Sequence, residues 1–66
     1  MNYRKLKGKL VELGKTYDDC ALAIGVHPST FNNKINGKTK FYIHEINHLA
    51  EYLGLTEEEK AVIFMS

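Results

Sequence analysis

The sequence predicts an all-α fold built from five short helices. Three observations predict it. Apolar residues recur at helical spacing along most of the chain. Glycines follow several of these stripes where a helix is expected to end, and Thr-x-x-Asp or Thr-x-x-Glu patterns precede two of the helices. At 66 residues the chain can bury only one small core, so we expect a single domain over residues 1–66.

The first helix is predicted to span about Asn2 to Leu13, and Gly14 is expected to end it. Three- and four-residue spacing places several apolar side chains on one face of this helix. That stripe comprises Tyr3, Leu6, Leu10 and Leu13. The pattern indicates a scaffold helix that packs one face against the rest of the chain.

Two short helices joined by a tight turn are predicted for residues 16–37. Thr16 can cap the first of them, with Asp19 at the third helical position of a capping box. Gly25 suits the left-handed conformation that ends a helix, and Pro28 suits the first turn of the next. The apolar stripe between them comprises Tyr17, Cys20, Ala21 and Ile24. This joint spacing predicts a helix-turn-helix.

The second helix of this pair is predicted to have one apolar and one polar face. Phe31 and Ile35 share the face that would anchor it to the core. Asparagine can pair bidentately with adenine, and serine can bond several base edges, so the polar face is a candidate for reading DNA in the major groove. That face comprises Ser29, Asn32, Asn33 and Asn36. These residues would also solvate an exposed helix, but three asparagines in one short helix favour the functional interpretation.

Basic residues follow the polar face. Lys34 is expected on the flank of its helix, with the stem packed and the ammonium reaching a DNA phosphate. Asn36-Gly37 is expected to end the helix, after which Lys38 and Lys40 supply donors suited to phosphate contacts.

The last two helices are predicted to be mainly scaffold. Helix four runs from about Ile43 to Leu53, and a capping box of Thr56 and Glu59 opens a short helix five. The inward positions of helix four are Ile43, Ile46, Leu49, Ala50 and Leu53. Helix five carries more apolar surface than one buried stripe needs, which suggests a dimer seam, although a plain core role stays open. The candidate seam comprises Ile63, Phe64 and Met65.

Charge is distributed unevenly along the chain. Residues 1–16 carry a net charge of +4, residues 17–40 one of +1 and residues 41–66 one of −4, although the whole chain is only +1 at pH 7. Such polarity would orient the molecule on a polyanion. Each charge taken alone is also explained as ordinary solvated surface.

One motif argues for an enzyme and is set aside. His44-Glu-Ile-Asn-His48 matches the H-E-x-x-H pattern of zinc proteases. The extended pattern expects Gly and His where this chain has Glu51 and Gly54, and both histidines fall away from the apolar stripe of helix four. We therefore expect surface histidines, no metal, no cofactor and no enzymatic activity.

Cysteine content and hydropathy suggest the compartment. Cys20 is the only cysteine, so it has no internal disulfide partner, and its place on an apolar stripe predicts a packed thiol. The sequence shows no signal peptide and no apolar run near the about twenty residues that span a bilayer. We expect a cytoplasmic protein with no membrane partner.

The chain resembles the Cro/repressor helix-turn-helix family, and within it small phage regulators of Gram-positive type. The similarity lies in the Ser-Thr-Phe-x-Asn-Lys-Ile-Asn-Gly-Lys segment at residues 29–38 and extends to Phe41-x-x-x-Glu45-Ile46, to residues 49–55 and to Ile63-Phe64. This resemblance implies a compact five-helix, lambda repressor-like domain that works as a dimer in the bacterial cytoplasm and is encoded by a phage or prophage. It also implies that the helix-turn-helix core is at about residues 16–37.

The resemblance further implies a sequence-specific DNA-binding transcriptional regulator that reads a double-stranded operator through its third helix. The candidate base-reading residues are Pro28, Ser29, Asn32, Asn33 and Asn36. The candidate phosphate contacts are Thr16, Tyr17, Thr30, Lys34, Lys38 and Lys40, with Tyr17 at a position where many relatives have a phosphate-bracing glutamine. The alternative is a modulator of the same fold that binds a partner repressor, which the near-neutral charge and Asp18-Asp19 favour.

Overall fold

The computed structural model describes residues 1–65, and within that range the chain is all-helical. Its five helices are α1 (Tyr3–Leu13), α2 (Tyr17–Ile24), α3 (Pro28–Ile35), α4 (Ile43–Leu53) and α5 (Glu57–Phe64). The radius of gyration is 10.5 Å, close to the value of about 11 Å expected for a compact chain of this length. The prediction of an all-α fold with five helices is confirmed. None of the helices in residues 1–65 is both long and apolar enough to cross a membrane.

Local capping interactions fix the ends of these helices as the sequence predicts. Thr16 Oγ1 accepts the N–H of Asp19 at 3.0 Å, and the Asp19 carboxylate accepts the N–H of Thr16 at 3.0 Å. Thr56 and Glu59 form the same reciprocal pair at the start of α5, at 3.0 and 2.9 Å. Gly25 has a φ of 74°, in the left-handed region that glycine alone enters readily, and so ends α2 sharply before α3.

One hydrophobic core joins all five helices. An aromatic row crosses it, because the ring of Phe31 lies 5.7 Å from that of Tyr17 and 5.8 Å from that of Phe41, which in turn lies 6.2 Å from Phe64. These contacts connect α2, α3, the following loop and α5. The buried cluster comprises Leu6, Leu10, Cys20, Ala21, Ile24, Phe31, Ile35, Leu49, Leu53 and Ile63.

Cys20 is a packed thiol, as its position on the stripe predicts. It is fully buried in the core. Burial raises the pKa of this thiol to about 11, so it stays protonated at neutral pH. Because the thiolate is the reactive form, Cys20 contributes packing rather than nucleophilic chemistry.

Two sets of helix contacts meet at α3. α2 contacts both α3 and α4, while α1 contacts α3 and α5. At the junction of α1 with α5, the N–H of Asn2 donates to the carbonyl of Ile63 at 2.7 Å. Lys9 of α1 and Glu59 of α5 form an ion pair at 2.6 Å. α3 is thus supported from two sides, by α1 and by α2.

Three apolar predictions are wrong. Ile43 was expected to point inward but is 78% exposed, because it is the first residue of α4 and precedes the part of that helix that packs. Leu13 is 38% exposed for the matching reason, since it is the last residue of α1. Ile63, expected in a dimer seam, is 1% exposed within the core. Of the other seam residues, Phe64 is half-buried against the core and Met65 is 74% exposed.

Candidate functional site

α3 exposes its polar face and buries its apolar one, as predicted. Phe31 and Ile35 are fully buried. The predicted reading residues are exposed, namely Pro28, Ser29, Asn32, Asn33 and Asn36. Thr30, a candidate phosphate contact, is half-buried. The helix therefore presents a row of hydrogen-bonding side chains to solvent from a rigid apolar base.

α3 begins at a cap that the sequence analysis missed. His27 is the N-cap residue, and its Nδ1 accepts the N–H of Ser29 at 3.1 Å and lies 2.8 Å from Ser29 Oγ. Because a nitrogen that accepts this N–H carries no proton, the neutral ring has its proton on Nε2. Histidine is not among the residues usually found at N-caps, so residue type alone does not predict this role.

The three asparagines on α3 differ in their hydrogen bonding. Asn36 Nδ2 donates to the backbone carbonyl of Asn32 at 2.9 Å and to Asn32 Oδ1 at 2.8 Å. Asn36 Oδ1 accepts from Lys7 Nζ, on α1, at 3.0 Å. The Asn33 amide has no hydrogen-bond partner within residues 1–65. Asn36 is therefore engaged inside the protein, whereas Asn33 is open to an external partner.

Lys34 is buried, so the prediction that it lies on the flank of α3 is wrong. The residue is only 5% exposed. Its ammonium forms an ion pair with Glu45 at 2.9 Å, donates to the carbonyl of Lys40 at 2.8 Å and lies 4.5 Å from the centroid of the Tyr42 ring. These bonds hold the loop of residues 36–42, the α3–α4 loop, against α3 and α4. Because they occupy the ammonium inside the protein, Lys34 is no longer a candidate phosphate contact.

Glu45 completes this anchor. Its carboxylate also accepts the N–H of Tyr42 at 2.8 Å. Burial raises the pKa of the Glu45 carboxyl, but the N–H of Tyr42 and the Lys34 ammonium outweigh that effect and hold the pKa below its usual value. Glu45 is therefore ionised at neutral pH and serves as the buried partner of Lys34.

The α3–α4 loop presents two lysines to solvent from a fixed backbone. The N–H of Lys38 donates to the carbonyl of Asn33 at 2.9 Å, and Gly37 has a φ of 79°. A Cβ at Gly37 would meet the ring of Tyr3 at 3.4 Å, so α1 approaches the loop closely here. Lys38 and Lys40 are exposed and have no anionic partner within residues 1–65.

Two further phosphate candidates also have roles inside the fold. Thr16 is exposed, but its hydroxyl oxygen accepts the capping bond of α2. Tyr17 is half-buried, and its ring packs on Phe31. Both residues lie at the start of α2, where the helix dipole favours an anion.

The H-E-x-x-H residues form no enclosed site. His44 and His48 are exposed, as predicted, and their ring centroids are 6.3 Å apart. The glutamate between them is the buried partner of Lys34. Within residues 1–65, no group of three or more histidine, cysteine, aspartate or glutamate side chains could hold a metal ion.

A shallow groove between α2 and α4 was not anticipated from the sequence. Leu22 is 84% exposed on the α2 side and Tyr52 is 39% exposed on the α4 side. The Lys15 ammonium lies 4.9 Å from the centroid of the Tyr52 ring. The groove is lined by Asp19, Leu22, Ala23, His48, Glu51 and Tyr52. It combines apolar and acidic side chains, unlike the polar and basic surface around α3.

Comparisons with known proteins identify a family for the chain. Searches of the curated proteins and of the solved structures find no significant match. One family, described as "Protein of unknown function (DUF739)", matches residues 1–66, which is the whole chain. The chain is therefore a member of the DUF739 family.

Proposed function

We propose that this chain is a sequence-specific DNA-binding transcriptional regulator. In this proposal α2 and α3 act as a helix-turn-helix, and α3 enters the major groove of an operator. One observation carries it: the exposed amides of Asn32 and Asn33 lie next to a loop whose exposed lysines, Lys38 and Lys40, have no anionic partner within residues 1–65.

The dimensions and chemistry of α3 suit this task. A helix with its side chains is about 10–12 Å across, and the major groove is about 12 Å wide. Specific recognition needs hydrogen-bonding groups for base edges and separate cations for phosphates. Asn32, Asn33 and Ser29 supply the first group, and Lys38 and Lys40 supply the second.

The buried anchor of Lys34 supports the proposal indirectly. Phosphate contacts fix the register and orientation of a protein on DNA. The ion pair with Glu45 and the bond to the Lys40 carbonyl tie the α3–α4 loop to α3 and α4. The lysines of the loop are thereby held at a defined position relative to the reading face.

A dimer on a two-fold symmetric operator belongs to the same proposal. Dimeric helix-turn-helix proteins bind half-sites about 34 Å apart. Met65 is 74% exposed just after α5, so it is the part of the predicted seam that a second copy would cover. Phe64 is half-buried and would contribute only its outer edge.

Selection from a random duplex pool across a series of salt concentrations tests the proposal. We expect enrichment of a two-fold symmetric site and a steep fall of affinity with salt, because phosphate contacts release counterions. Asn33→Ala should relax the base preference at one position of each half-site. Lys60→Ala, which removes a lysine of α5 that donates to Asn47 of α4, is a control and should leave that base preference unchanged. Absence of any retained duplex at low salt contradicts the proposal.

A second candidate function rests on the groove between α2 and α4. Leu22 is a large apolar side chain left 84% exposed, with the acidic side chains Asp19 and Glu51 lining the same groove. Such a surface suits a protein partner, and a modulator that binds a repressor would use it. This function predicts that Leu22→Asp abolishes complex formation, while Asn33→Ala and Lys38→Ala leave it intact.

A further inference from the structure

We infer that the groove between α2 and α4 binds a basic, amphipathic helix of a partner protein. The partner helix would bury a large apolar side chain against Leu22 and Tyr52 and pair its arginines or lysines with the acidic side chains around them. This inference goes beyond DNA binding, and it deepens the second candidate function by naming the chemistry of the partner. Within residues 1–65, the residues that line the groove all belong to α2 or α4, so the site is separate from the polar face of α3.

The apolar part of the groove is a surface that the fold leaves uncovered. Leu22 is 84% exposed although it lies within α2, where Cys20 and Ile24 are buried. Ala23 and Tyr52 line the same groove, and Tyr52 is 39% exposed. A single exposed apolar side chain is common on protein surfaces. A leucine that shares a concave surface with an alanine and a tyrosine, however, offers a partner side chain several groups to pack against.

Acidic side chains surround this apolar surface. Asp19 and Glu51 line the groove. Asp18 precedes Leu22 by four residues, so the two lie on the same face of α2. Asp18 and Glu51 are exposed and form no ion pair within residues 1–65. Both carboxylates are therefore open to a cationic partner.

Asp19 keeps its charge, and Lys15 offsets only part of the acidic total. Hydrogen bonds from the backbone N–H and the side chain of Thr16 hold the pKa of the Asp19 carboxyl below its usual value, so it is ionised at neutral pH. The Lys15 ammonium lies 4.9 Å from the centroid of the Tyr52 ring. One ammonium beside three carboxylates leaves the groove negative, in contrast to the lysine-bearing α3–α4 loop.

The charge of the groove favours a basic protein partner. Carboxylates repel nucleic acids and anionic lipid surfaces, whereas they pair with lysine and, in bidentate geometry, with arginine. Residues 1–65 contain no β-strand, so a partner strand finds no sheet edge to extend. An amphipathic helix suits a groove between two helices, because three- and four-residue spacing brings its apolar and basic side chains to one side.

Ile43 provides an internal comparison. It is 78% exposed at the start of α4, so it is nearly as exposed as Leu22. Its neighbours Tyr42 and His44 stack on each other, with ring centroids 6.0 Å apart. The nearby Glu45 is buried in an ion pair and offers no free carboxylate. A basic helix should therefore bind at Leu22 and not at Ile43.

Two synthetic helical peptides test the inference. Both carry leucines at three- and four-residue spacing on an alanine background, and they differ only in the flanking residues, which are arginine in one and glutamate in the other. Fluorescence anisotropy measures their binding to the full chain in the absence of DNA. We expect the arginine peptide to bind and to shift the backbone amide resonances of Leu22, Ala23 and Tyr52. The glutamate peptide should not bind.

Matched variants separate the apolar and ionic contributions. Leu22→Ser should weaken binding of the arginine peptide about tenfold or more, because the burial of a leucine side chain is lost. Ile43→Ser, the matched change elsewhere on the surface, should leave binding unchanged. Glu51→Gln should weaken it about two- to fivefold and reduce its dependence on salt. All three residues are exposed, so the variants should keep the fold, which a urea midpoint checks.

Equal binding of both peptides, equal losses for Leu22→Ser and Ile43→Ser, or no binding of the arginine peptide would overturn the inference. A change in the oligomeric state of the free protein on Leu22→Ser, measured by sedimentation, would assign the groove to a second copy and overturn it as well. DNA binding is tested separately. A chain that binds the arginine peptide but no duplex keeps this inference and loses the proposed regulatory function on DNA.

Discussion

Two junctions of this small domain are each closed by a lysine–glutamate ion pair, and the two pairs differ in burial. Lys34 and Glu45 join α3 to α4 at 2.9 Å, with side chains 6% and 4% exposed. Lys9 and Glu59 join α1 to α5 at 2.6 Å, with side chains 19% and 34% exposed. The same chemistry therefore operates in a buried environment beside the polar face of α3 and in a partly solvent-exposed one at the α1–α5 junction.

The difference in burial predicts which ion pair contributes more to stability. When one partner of a buried ion pair is removed, the other charge stays buried with neither a counterion nor water, so the loss of stability is large. A solvent-exposed pair is screened, and water replaces a lost partner. The Lys9 ammonium also pairs with Glu12 at 3.1 Å, whereas Glu45 is the only anionic partner of Lys34 within residues 1–65. We conclude that the Lys34–Glu45 pair contributes more to holding the α3–α4 loop than the Lys9–Glu59 pair contributes to holding α5.

The largest effect is expected from breaking the buried pair. Lys34→Met should lower the free energy of unfolding by about 3–5 kcal/mol, because it leaves the buried Glu45 carboxylate without its cation. That loss is comparable to the whole stability of about 3–10 kcal/mol expected for a domain of this size. Urea unfolding followed by circular dichroism measures it.

Two further variants control this prediction. Lys34→Met combined with Glu45→Gln should recover part of the lost stability, because no charge is then left unpaired. Lys9→Met, the matched change at the other junction, should cost distinctly less. Equal losses for Lys34→Met and Lys9→Met would show that burial does not distinguish the two pairs.

The next largest effect concerns recognition at the α3 side. Asn33→Ala should weaken binding to the selected operator by about 1–3 kcal/mol and relax the preference at one base pair, because it removes an amide open to a base. Fluorescence anisotropy with matched and substituted duplexes measures both quantities. Asn47→Ala, an exposed asparagine of α4, is the control and should leave affinity unchanged. An unchanged affinity for Asn33→Ala would remove this residue from the reading face.

A smaller and sequence-independent effect is expected from the loop lysines. Lys38→Ala should weaken binding to every duplex alike and reduce the slope of log affinity against log salt by about 1, because one phosphate contact is lost. Lys60→Ala, which removes a lysine of α5 that donates to Asn47 of α4, should leave the slope unchanged. A slope that falls equally for both variants would mean that Lys38 makes no phosphate contact that Lys60 lacks.

The smallest effect is the acid sensitivity of the exposed pair. The hydrogen bond from the Lys9 ammonium, together with that from the backbone N–H of Thr56, lowers the pKa of Glu59 to about 2. A lowered pKa in the folded protein means that the stabilising contribution is complete above the unfolded pKa of about 4.3 and is lost as pH falls toward 2. Glu59→Gln should therefore flatten the dependence of the urea midpoint on pH between about 4.3 and 2. Glu58→Gln is the neighbouring control, and an equal flattening there would contradict the assignment to Glu59.

Local features of this fold were predictable from the sequence. The caps at Thr16 and Thr56 and the left-handed Gly25 depend on residues within a few positions of one another, and the structure has all three. The buried face of α3 was likewise predictable, because Phe31 and Ile35 are one helical turn apart. Such interactions leave a signature in the sequence because they arise within a single helix or turn.

The interactions that shape the candidate site left no such signature. Lys34 meets a glutamate on another helix, and Lys7 meets an asparagine 29 residues away. Both contacts depend on how the helices pack, which local periodicity does not specify. Ile43 was misassigned for a related reason, since helical spacing assigns a face but does not say where along the helix packing begins.

A map of backbone amide chemical shifts during titration with the selected duplex tests most directly whether α3 and the α3–α4 loop bind DNA. We expect the shifts to concentrate in α3 and the α3–α4 loop, with weaker changes at the start of α2, while α5 changes little away from any contact between copies. Shifts confined to the groove of Leu22 and Tyr52, or no shifts at a duplex concentration that saturates binding, would contradict it.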